Sequence, residues 1–167
     1  MTLDQLNALS PAAAKGELER CCGSERWAAA MTGRRPYGTT DELYRSAEDM
    51  WWSLEAADWL EAFSHHPRIG ERATGWAKDE QAGLGPASHS TMQALAALNR
   101  EYEQRFNHVF LICATGKCAD EMLSEVRRRL TNDPAPELRI AAAEQAKITR
   151  LRLEKLLTPS LESSRTV

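Results

Sequence analysis

The chain has 167 residues, of which 43% are hydrophobic, enough for one domain with a real core and too few for two domains of ordinary size. Its 21 basic and 24 acidic residues give a net charge of -3, too even for the long-range field that gathers nucleic acid or an anionic membrane surface. No stretch approaches the roughly twenty apolar residues of a membrane span, and residues 1–10 lack the order of a signal peptide, so we expect a cytoplasmic protein that binds neither nucleic acid nor membrane.

The cysteines and histidines do not form a metal-binding pattern. Cys21 and Cys22 are adjacent, and Cys113 and Cys118 match neither a secreted disulfide framework nor the paired spacing of structural zinc. The four histidines show neither the HxxxH nor the HxH spacing of a metal site. The sequence therefore predicts reduced, partly buried thiols and no metal.

Helix start signals are dense along the chain. The capping-box spacing occurs at Thr2 with Gln5, at Thr39 with Glu42 and at Ser90 with Gln93, and Ser10 before Pro11 adds another start. Segments rich in helix-forming residues follow, at 12–22, 41–54, 91–106, 120–130 and 137–157. We predict an all-α protein, a single-domain helical bundle over residues 1–158 with a flexible C-terminal tail at 159–167.

Two stretches interrupt the helical pattern. Residues 109–113 have the β-branched and aromatic density of a strand, but no second run exists to pair with them, so we expect a buried extended segment or a buried helix. Residues 64–75, SHHPRIGERATG, combine proline, two glycines, two histidines and two arginines. This composition is unsuited to a buried core and is typical of a loop that carries a functional site.

His66 is the first candidate for chemistry. Pro67 excludes the helical region for the residue before it, so the preceding helix is expected to stop at His66. A histidine fixed at a helix exit can exchange a proton at neutral pH, and it can equally be a solvated residue that caps the helix. The neighbouring His65 lacks the proline restraint and is expected to be a bystander.

Glu80 and Gln81 lie on a short predicted helix that Gly83 closes. A functional role requires Glu80 to turn inward toward the preceding loop. On composition alone the adjacent Asp79 is an equally good carboxylate, and most glutamates on short helices are simply solvated.

The last helix carries polar residues on its apolar stripe. Leu138, Ala141, Gln145, Ile148 and Arg152 follow a 3, 4, 3, 4 spacing that places Gln145 and Arg152 on the face toward the core. A guanidinium on such a stripe needs a carboxylate partner, which can be a substrate or another residue of the protein.

Several motifs together resemble the 2-oxo-4-hydroxy-4-carboxy-5-ureidoimidazoline (OHCU) decarboxylase family. The motifs, spread over nearly the whole chain, are Trp51, WLEAF at 59–63, HPRIGE at 66–71, EQAGL at 80–84, the NxxYxxxF pattern from Asn99, FLICA at 110–114 and ITRLRL at 148–153. The resemblance implies an all-α homodimer that needs no cofactor and converts OHCU to (S)-allantoin in urate catabolism.

The resemblance also implies roles for individual residues. His66 and Glu80 correspond to the catalytic residues. The substrate-binding residues implied are Pro67, Gln81, Phe110, Ile112 and Arg152, with the apolar run contacting the substrate ring through its backbone. The family often has serine three residues before the glutamate, where this chain has Ala77, and the stretch between His66 and Glu80 is shorter than in many relatives.

Two other functions are compatible with these residues. One is a helical enzyme acting on another carboxylated ureide, because fold and site type do not determine the substrate. The other is a non-catalytic helical module that binds a partner protein. Trp51 and Trp52 are adjacent and cannot both face one core, so one of them is a candidate for a dimer surface.

Overall fold

The computed structural model describes residues 1–158, and these residues form nine α-helices, one short 3₁₀ turn and no β-strand. The helices are α1 Leu3–Ala8, α2 Pro11–Cys21, α3 Glu25–Gly33, α4 Thr40–Ser53, α5 Ala56–Ser64, α6 Gly75–Glu80, α7 His89–Phe106, α8 Ala119–Arg129 and α9 Pro134–Leu157, and the 3₁₀ turn is Ala82–Leu84. The all-α prediction is confirmed. No helix of the described residues is long and apolar enough to cross a membrane.

Three of the predicted helix starts have the expected side-chain caps. Thr2 and Gln5 form the complete capping box of α1. Ser10 accepts a hydrogen bond from the amide of Ala13, with proline at the first position of α2. Thr39 caps α4, but its Glu42 carboxylate accepts from the amide of Gly38 instead of closing the box.

The predicted start of α7 is wrong by two residues. The helix begins at His89, and its N-cap is Ser88, whose hydroxyl accepts from the amide of Thr91 at 3.2 Å. Ser90 therefore lies inside the first turn. The error arose because three hydroxyl residues crowd this start, and spacing alone does not say which of them has extended backbone.

The last helix also begins earlier than predicted, at Pro134 instead of Glu137. Pro134 and Pro136 both lie in its first turn, where backbone amides have no intrahelical acceptor and the missing N–H of proline costs nothing. On its apolar stripe Ala141, Gln145 and Ile148 are buried as predicted, whereas Leu138 and Arg152 are half-buried.

Contacts within the described chain divide into two compact units. Among the described residues, the first contains Met1–Asp58 together with 148–158, and the second contains Trp59–Lys147. The prediction of one domain over 1–158 stays a prediction, and the predicted tail at 159–167 lies outside the described residues.

In the first unit α2 packs against α3, and α3 against α4. Trp27 is fully buried and donates its indole N–H to the carbonyl of Ala47 at 3.0 Å. The Arg35 guanidinium donates to carbonyls at the end of α1, which satisfies acceptors that a helix end leaves open. Trp51 is 2% exposed and Trp52 is 37% exposed, so only the first faces the core.

In the second unit α7 packs against α8 around an apolar cluster. The cluster includes residues of the predicted 109–113 segment, which is neither helix nor strand over 109–114, so the buried helix is ruled out and the extended segment remains. Its buried members are Ile69, Leu95, Tyr102, Phe106, Phe110, Ile112, Ala114, Met122, Leu123 and Val126.

Candidate active site

His66 lies where α5 ends, as Pro67 predicts. Helix α5 stops at Ser64, and the amide of His66 donates to the carbonyl of Phe63 at 3.1 Å. The half-buried imidazole places Nε2 2.7 Å from Oε1 of Gln145, which is fully buried on α9. A carboxamide oxygen only accepts hydrogen bonds, so Nε2 donates.

The other histidines of the second unit have different surroundings. His65 and His89 are exposed. His108 packs at tilted or edge-on angles against Phe63, Tyr102 and Phe106, with ring centroids 5.3, 5.5 and 6.2 Å away, and burial lowers its pKa. A neutral imidazole is therefore favoured at His108, as in an aromatic core.

The loop after His66 is held by side chains from distant parts of the chain. The carbonyl of Ile69 accepts from the amide group of Asn99 at 2.7 Å, and the amide of Gly70 donates to Oε1 of Gln81 at 2.9 Å. Gly70 has φ +88°, a conformation that a side chain would strain. The Gln81 carboxamide thus connects the HPRIGE loop to the end of α6.

Glu80 is turned inward and Asp79 is not. Glu80 is the buried residue of α6, 9% exposed, whereas Asp79 is exposed. Burial raises the pKa of the Cys113 thiol, and the negative charges of Glu144 and Glu80 act in the same direction. Glu80 is therefore enclosed by the protein, and its role in the reaction stays a prediction.

Gly83 does not end α6, although the sequence predicted that it would. It lies within the 3₁₀ turn, after α6 has ended at Glu80. A Cβ at this position would lie 2.0 Å from the carbonyl oxygen of Lys117. The glycine is needed because two backbones approach closely, and this contact seats Glu80 and Gln81 against the turn at 115–118.

Charged side chains anchor the extended segment at two points, Leu111 and Cys113. The carbonyl of Leu111 accepts from Nη1 of Arg129 at 2.6 Å, and the amide of Cys113 donates to Oε2 of Glu144 at 2.8 Å. Arg129 is fully buried and pairs with the fully buried Glu137 at 2.6 Å. Because the segment has no neighbouring strand, these side chains provide hydrogen bonds that a sheet would otherwise supply.

The buried ion pair belongs to a larger network. The Tyr102 hydroxyl donates to the same Glu137 carboxylate, whose other oxygen accepts from Asn132 at 2.8 Å. The Arg129 guanidinium lies 4.9 Å from the centre of the Phe110 ring. Every oxygen of Glu137 therefore has a donor, as a buried carboxylate requires.

Arg152 belongs to the first unit. Its Nη1 lies 3.5 Å from the carbonyl of Arg20 near the end of α2, and its positive charge opposes the effect of burial on Cys21. Burial raises the pKa of that thiol to about 12. Arg152 is half-buried, less enclosed than its place on the stripe predicted.

In the second unit, hydrogen bonds connect two of the predicted site residues to parts of the chain that are distant in sequence. His66 is joined to α9, and Gln81 is joined to the loop that follows Pro67. Phe110 and Ile112 are buried in the apolar cluster, and Pro67 is half-buried.

Sequence reasoning singled out Gln145 as anomalous but gave it no role, and it missed Arg129, Glu137 and Glu144. For Arg129 a signal existed, because it follows Met122 and Val126 at spacings of 4 and 3 and therefore continues the buried face of α8. The signal was not recognised because Arg129 is one of three consecutive arginines at 127–129. Among the described residues no group of three or more His, Cys, Asp or Glu side chains could hold a metal ion.

Comparison with known proteins gives a consistent result. The OHCU decarboxylase family model matches residues 7–154. The uric acid degradation bifunctional protein of Arabidopsis thaliana is 38% identical over 85% of this chain and 47% of its own length. The 2-oxo-4-hydroxy-4-carboxy-5-ureidoimidazoline decarboxylase of Amia calva is 30% identical over 78% of this chain and 79% of its own. The chain spans less than half the length of the bifunctional relatives it matches.

A solved structure has the same fold at higher identity. The crystal structure of OHCU decarboxylase in the presence of (S)-allantoin is 41% identical and covers 86% of this chain and 98% of that chain, with a TM-score of 0.79. Together with the family model, this similarity extends over both the helical framework and the motifs of the candidate site. The chain therefore belongs to the OHCU decarboxylase family.

Proposed function

We propose that this protein is a carboxy-lyase that decarboxylates OHCU to (S)-allantoin in urate catabolism. The observation that carries the proposal is the family match over residues 7–154, supported by the 41% identical decarboxylase whose structure was determined in the presence of (S)-allantoin. The inward position of Glu80 and the anchored imidazole of His66 provide suitable groups within one compact unit.

The substrate itself can accept the electrons of the broken bond. When the bond to the carboxylate breaks, its electron pair moves onto the ring carbon and spreads into the adjacent imine, while carbon dioxide leaves. The protein needs to orient the substrate and manage protons, which side chains can do without a cofactor. We therefore propose that the reaction uses neither a cofactor nor a metal.

Each site residue has a task in this mechanism. His66 and Glu80 hold the hydroxyl and carboxylate so that the breaking bond stands perpendicular to the ring, and Arg152 orients the substrate anion. Pro67, Gln81 and the backbone of Phe110 and Ile112 contact the substrate. Loss of carbon dioxide leaves an enol, and protonation of the former imine carbon from one face, as the hydroxyl carbon becomes a carbonyl, gives the (S) product.

Ala77 supports a second candidate substrate. It is half-buried on α6, one turn before Glu80, where the family often has serine. Without that hydroxyl, a substrate lacking the matching polar group is less disfavoured. The alternative function is therefore decarboxylation of another carboxylated ureide by the same residues.

We also propose that the protein is a cytoplasmic homodimer. Trp52 is 37% exposed, and large aromatic side chains are enriched at interfaces, which supports self-association. The four cysteines are free, and three of them are buried, which fits a reducing compartment. Light scattering of wild type and of Trp52→Ser tests the dimer: a monomeric wild type contradicts it. Fractionation of cells tests the compartment.

One assay tests the reaction. OHCU is generated from urate immediately before use by urate oxidation and hydrolysis, and the purified chain is added while circular dichroism follows the optical activity of allantoin. We expect a rapid rise in the (S) signal with release of one carbon dioxide per allantoin. A rate equal to that of spontaneous, racemic decay contradicts the proposal. Substituting related carboxylated ureides distinguishes the alternative substrate.

A further inference from the structure

The hydrogen bond between His66 and Gln145 joins a half-buried imidazole to a fully buried carboxamide. Gln145 lies on α9 between Ala141 and Ile148, which are both buried. The packing of α9 thus determines where its side chain lies. A buried carboxamide without a partner is costly, so the 2.7 Å contact with the His66 ring also satisfies Gln145.

The contact has a chemical consequence for the imidazole. A neutral imidazole carries one proton on its two nitrogens, and which nitrogen carries it is determined by the hydrogen bonds of the ring. Oε1 of Gln145 accepts, so Nε2 of His66 bears the hydrogen and Nδ1 holds the lone pair. Rotation of the ring by 180° would replace Nε2–H by carbon and break the bond. The bond to Gln145 therefore favours one tautomer and one orientation of the ring.

We propose that Gln145 is a positioning residue for His66, which holds the ring in the Nε2–H tautomer and makes Nδ1 the nitrogen that exchanges a proton with the substrate. The assignment of the tautomer stands on the geometry alone. The task of Nδ1 rests on the proposed decarboxylation.

The proton and electron balance is then complete. Nδ1 takes the proton of the substrate hydroxyl, the bond to the carboxylate breaks, and the electron pair passes through the ring carbon into the imine. The imidazolium returns its proton to the former imine carbon while the deprotonated hydroxyl becomes the ring carbonyl, and one proton from solvent neutralises the former imine nitrogen. The Nε2–H bond to Gln145 persists throughout, so the ring does not reorient during the reaction.

A neutral carboxamide suits this task. It orients the imidazole through a single hydrogen bond, as the third group of a hydrolase triad orients its histidine, but it brings no charge that would hold the ring as imidazolium. The ring can therefore both take up and release a proton during one turnover.

Nitrogen-15 NMR of the full chain tests the tautomer directly. The histidines are labelled, and His66 is assigned by its loss in His66→Ala. For the neutral ring of the wild type we expect a pyrrole-type shift at Nε2 and a pyridine-type shift at Nδ1. In Gln145→Met, which removes the acceptor at similar volume, both shifts should move toward intermediate values as the Nδ1–H tautomer becomes populated. Gln145→Glu keeps an acceptor for Nε2–H, so its neutral ring should show the wild-type pattern, but only at higher pH, because the carboxylate favours the imidazolium.

Kinetics with fresh OHCU test the task of Nδ1. Gln145→Met should lower kcat by about 10- to 100-fold and change KM by less than about twofold, because the substrate still binds but the proton-transfer geometry is lost. The matched control Gln104→Met, at an exposed position of α7, should behave as wild type.

Each outcome gives a decision. An Nδ1–H tautomer in the wild type, or an unchanged tautomer in Gln145→Met, overturns the proposal. If Gln145→Met does not fold, the nitrogen-15 shifts of His66 in the wild type and in Gln145→Glu test the tautomer instead. A wild-type protein without decarboxylase activity but with the expected shifts overturns the proposed function and the task of Nδ1 while the positioning of His66 stands.

Discussion

Residues 1–58 and residues 59–147 differ in how their backbone polar groups are satisfied. In the first region short turns join capped helices, and the interior is almost entirely apolar, with Trp27 and Trp51 among its largest buried side chains. In the second region two irregular stretches, 65–74 and 107–118, lie among the helices. Buried polar side chains from distant parts of the sequence hold them. Regular helices satisfy their own backbone groups, whereas irregular backbone needs such partners.

The difference teaches where the chemistry is located. Candidate site residues of the second region lie on or beside the irregular stretches, whose shape depends on a few side-chain hydrogen bonds, two of them from charged groups. An apolar core can adjust to a substitution, but a buried ion pair cannot lose one partner cheaply. The second region should therefore be more sensitive to single polar substitutions.

The largest expected effect is that of Arg129→Met. It leaves Glu137 as an unpaired buried carboxylate and removes the donor to Leu111, so the free energy of unfolding should fall by about 3–5 kcal/mol in urea titration. The control Arg128→Met, whose pair with Glu125 is at the surface, should cost less than about 1 kcal/mol.

A double variant sharpens this result. Arg129→Met with Glu137→Leu removes both charges and should recover much of the stability. Turnover should remain low, because the carbonyl of Leu111 still lacks its anchor. Recovery of both turnover and stability would mean that the Arg129–Glu137 network stabilises the fold but has no role in turnover.

The next largest effect concerns turnover at constant fold. His66→Ala should reduce kcat by about 10² or more with an unchanged far-ultraviolet circular dichroism spectrum, since acid-base groups commonly contribute that much. His65→Ala is the matched control and should retain wild-type rates. Similar rates in both variants would contradict the role of His66.

For the carboxylates, Glu80→Gln should lower kcat and Asp79→Asn should not, because only Glu80 is buried. The opposite result would transfer the role to Asp79.

A smaller effect tests the close approach of two backbones. Gly83→Ala should cost about 1–3 kcal/mol of stability and raise KM, because the new Cβ collides with the Lys117 carbonyl and displaces the Glu80–Gln81 turn. Gly85→Ala adds a Cβ at an ordinary 3.5 Å contact and should be nearly neutral. Equal stability of the two variants in thermal unfolding would contradict the proposed seating of the turn.

The smallest effect tests the start of α7. Ser88→Ala removes the cap and should cost about 1 kcal/mol, whereas Ser90→Ala should stay within about 0.5 kcal/mol. Chemical denaturation of both variants measures the difference. A larger loss of stability in Ser90→Ala than in Ser88→Ala would instead support Ser90 as the N-cap, as the capping-box spacing predicted.

Most of the helical framework could be predicted from the sequence because its signals are local. Caps such as Thr2 and Ser10, and the stop before Pro67, depend on residues within one turn of each other. The starts of α7 and α9 were misplaced where hydroxyl residues or prolines cluster. In those places several nearby residues satisfy the same local rule, and the rest of the fold selects among them.

The sequence by itself determined the all-α class, the helix exit at His66 and the polar anomaly at Gln145, because each follows from periodicity or from a backbone restriction on neighbouring residues. Only the tertiary structure decided that Glu80 turns inward while Asp79 does not, that Gln145 holds the His66 ring, and that Arg129 and Glu144 anchor the extended segment. These contacts join residues that are far apart in the chain, and no local rule states which buried polar groups meet when helices pack.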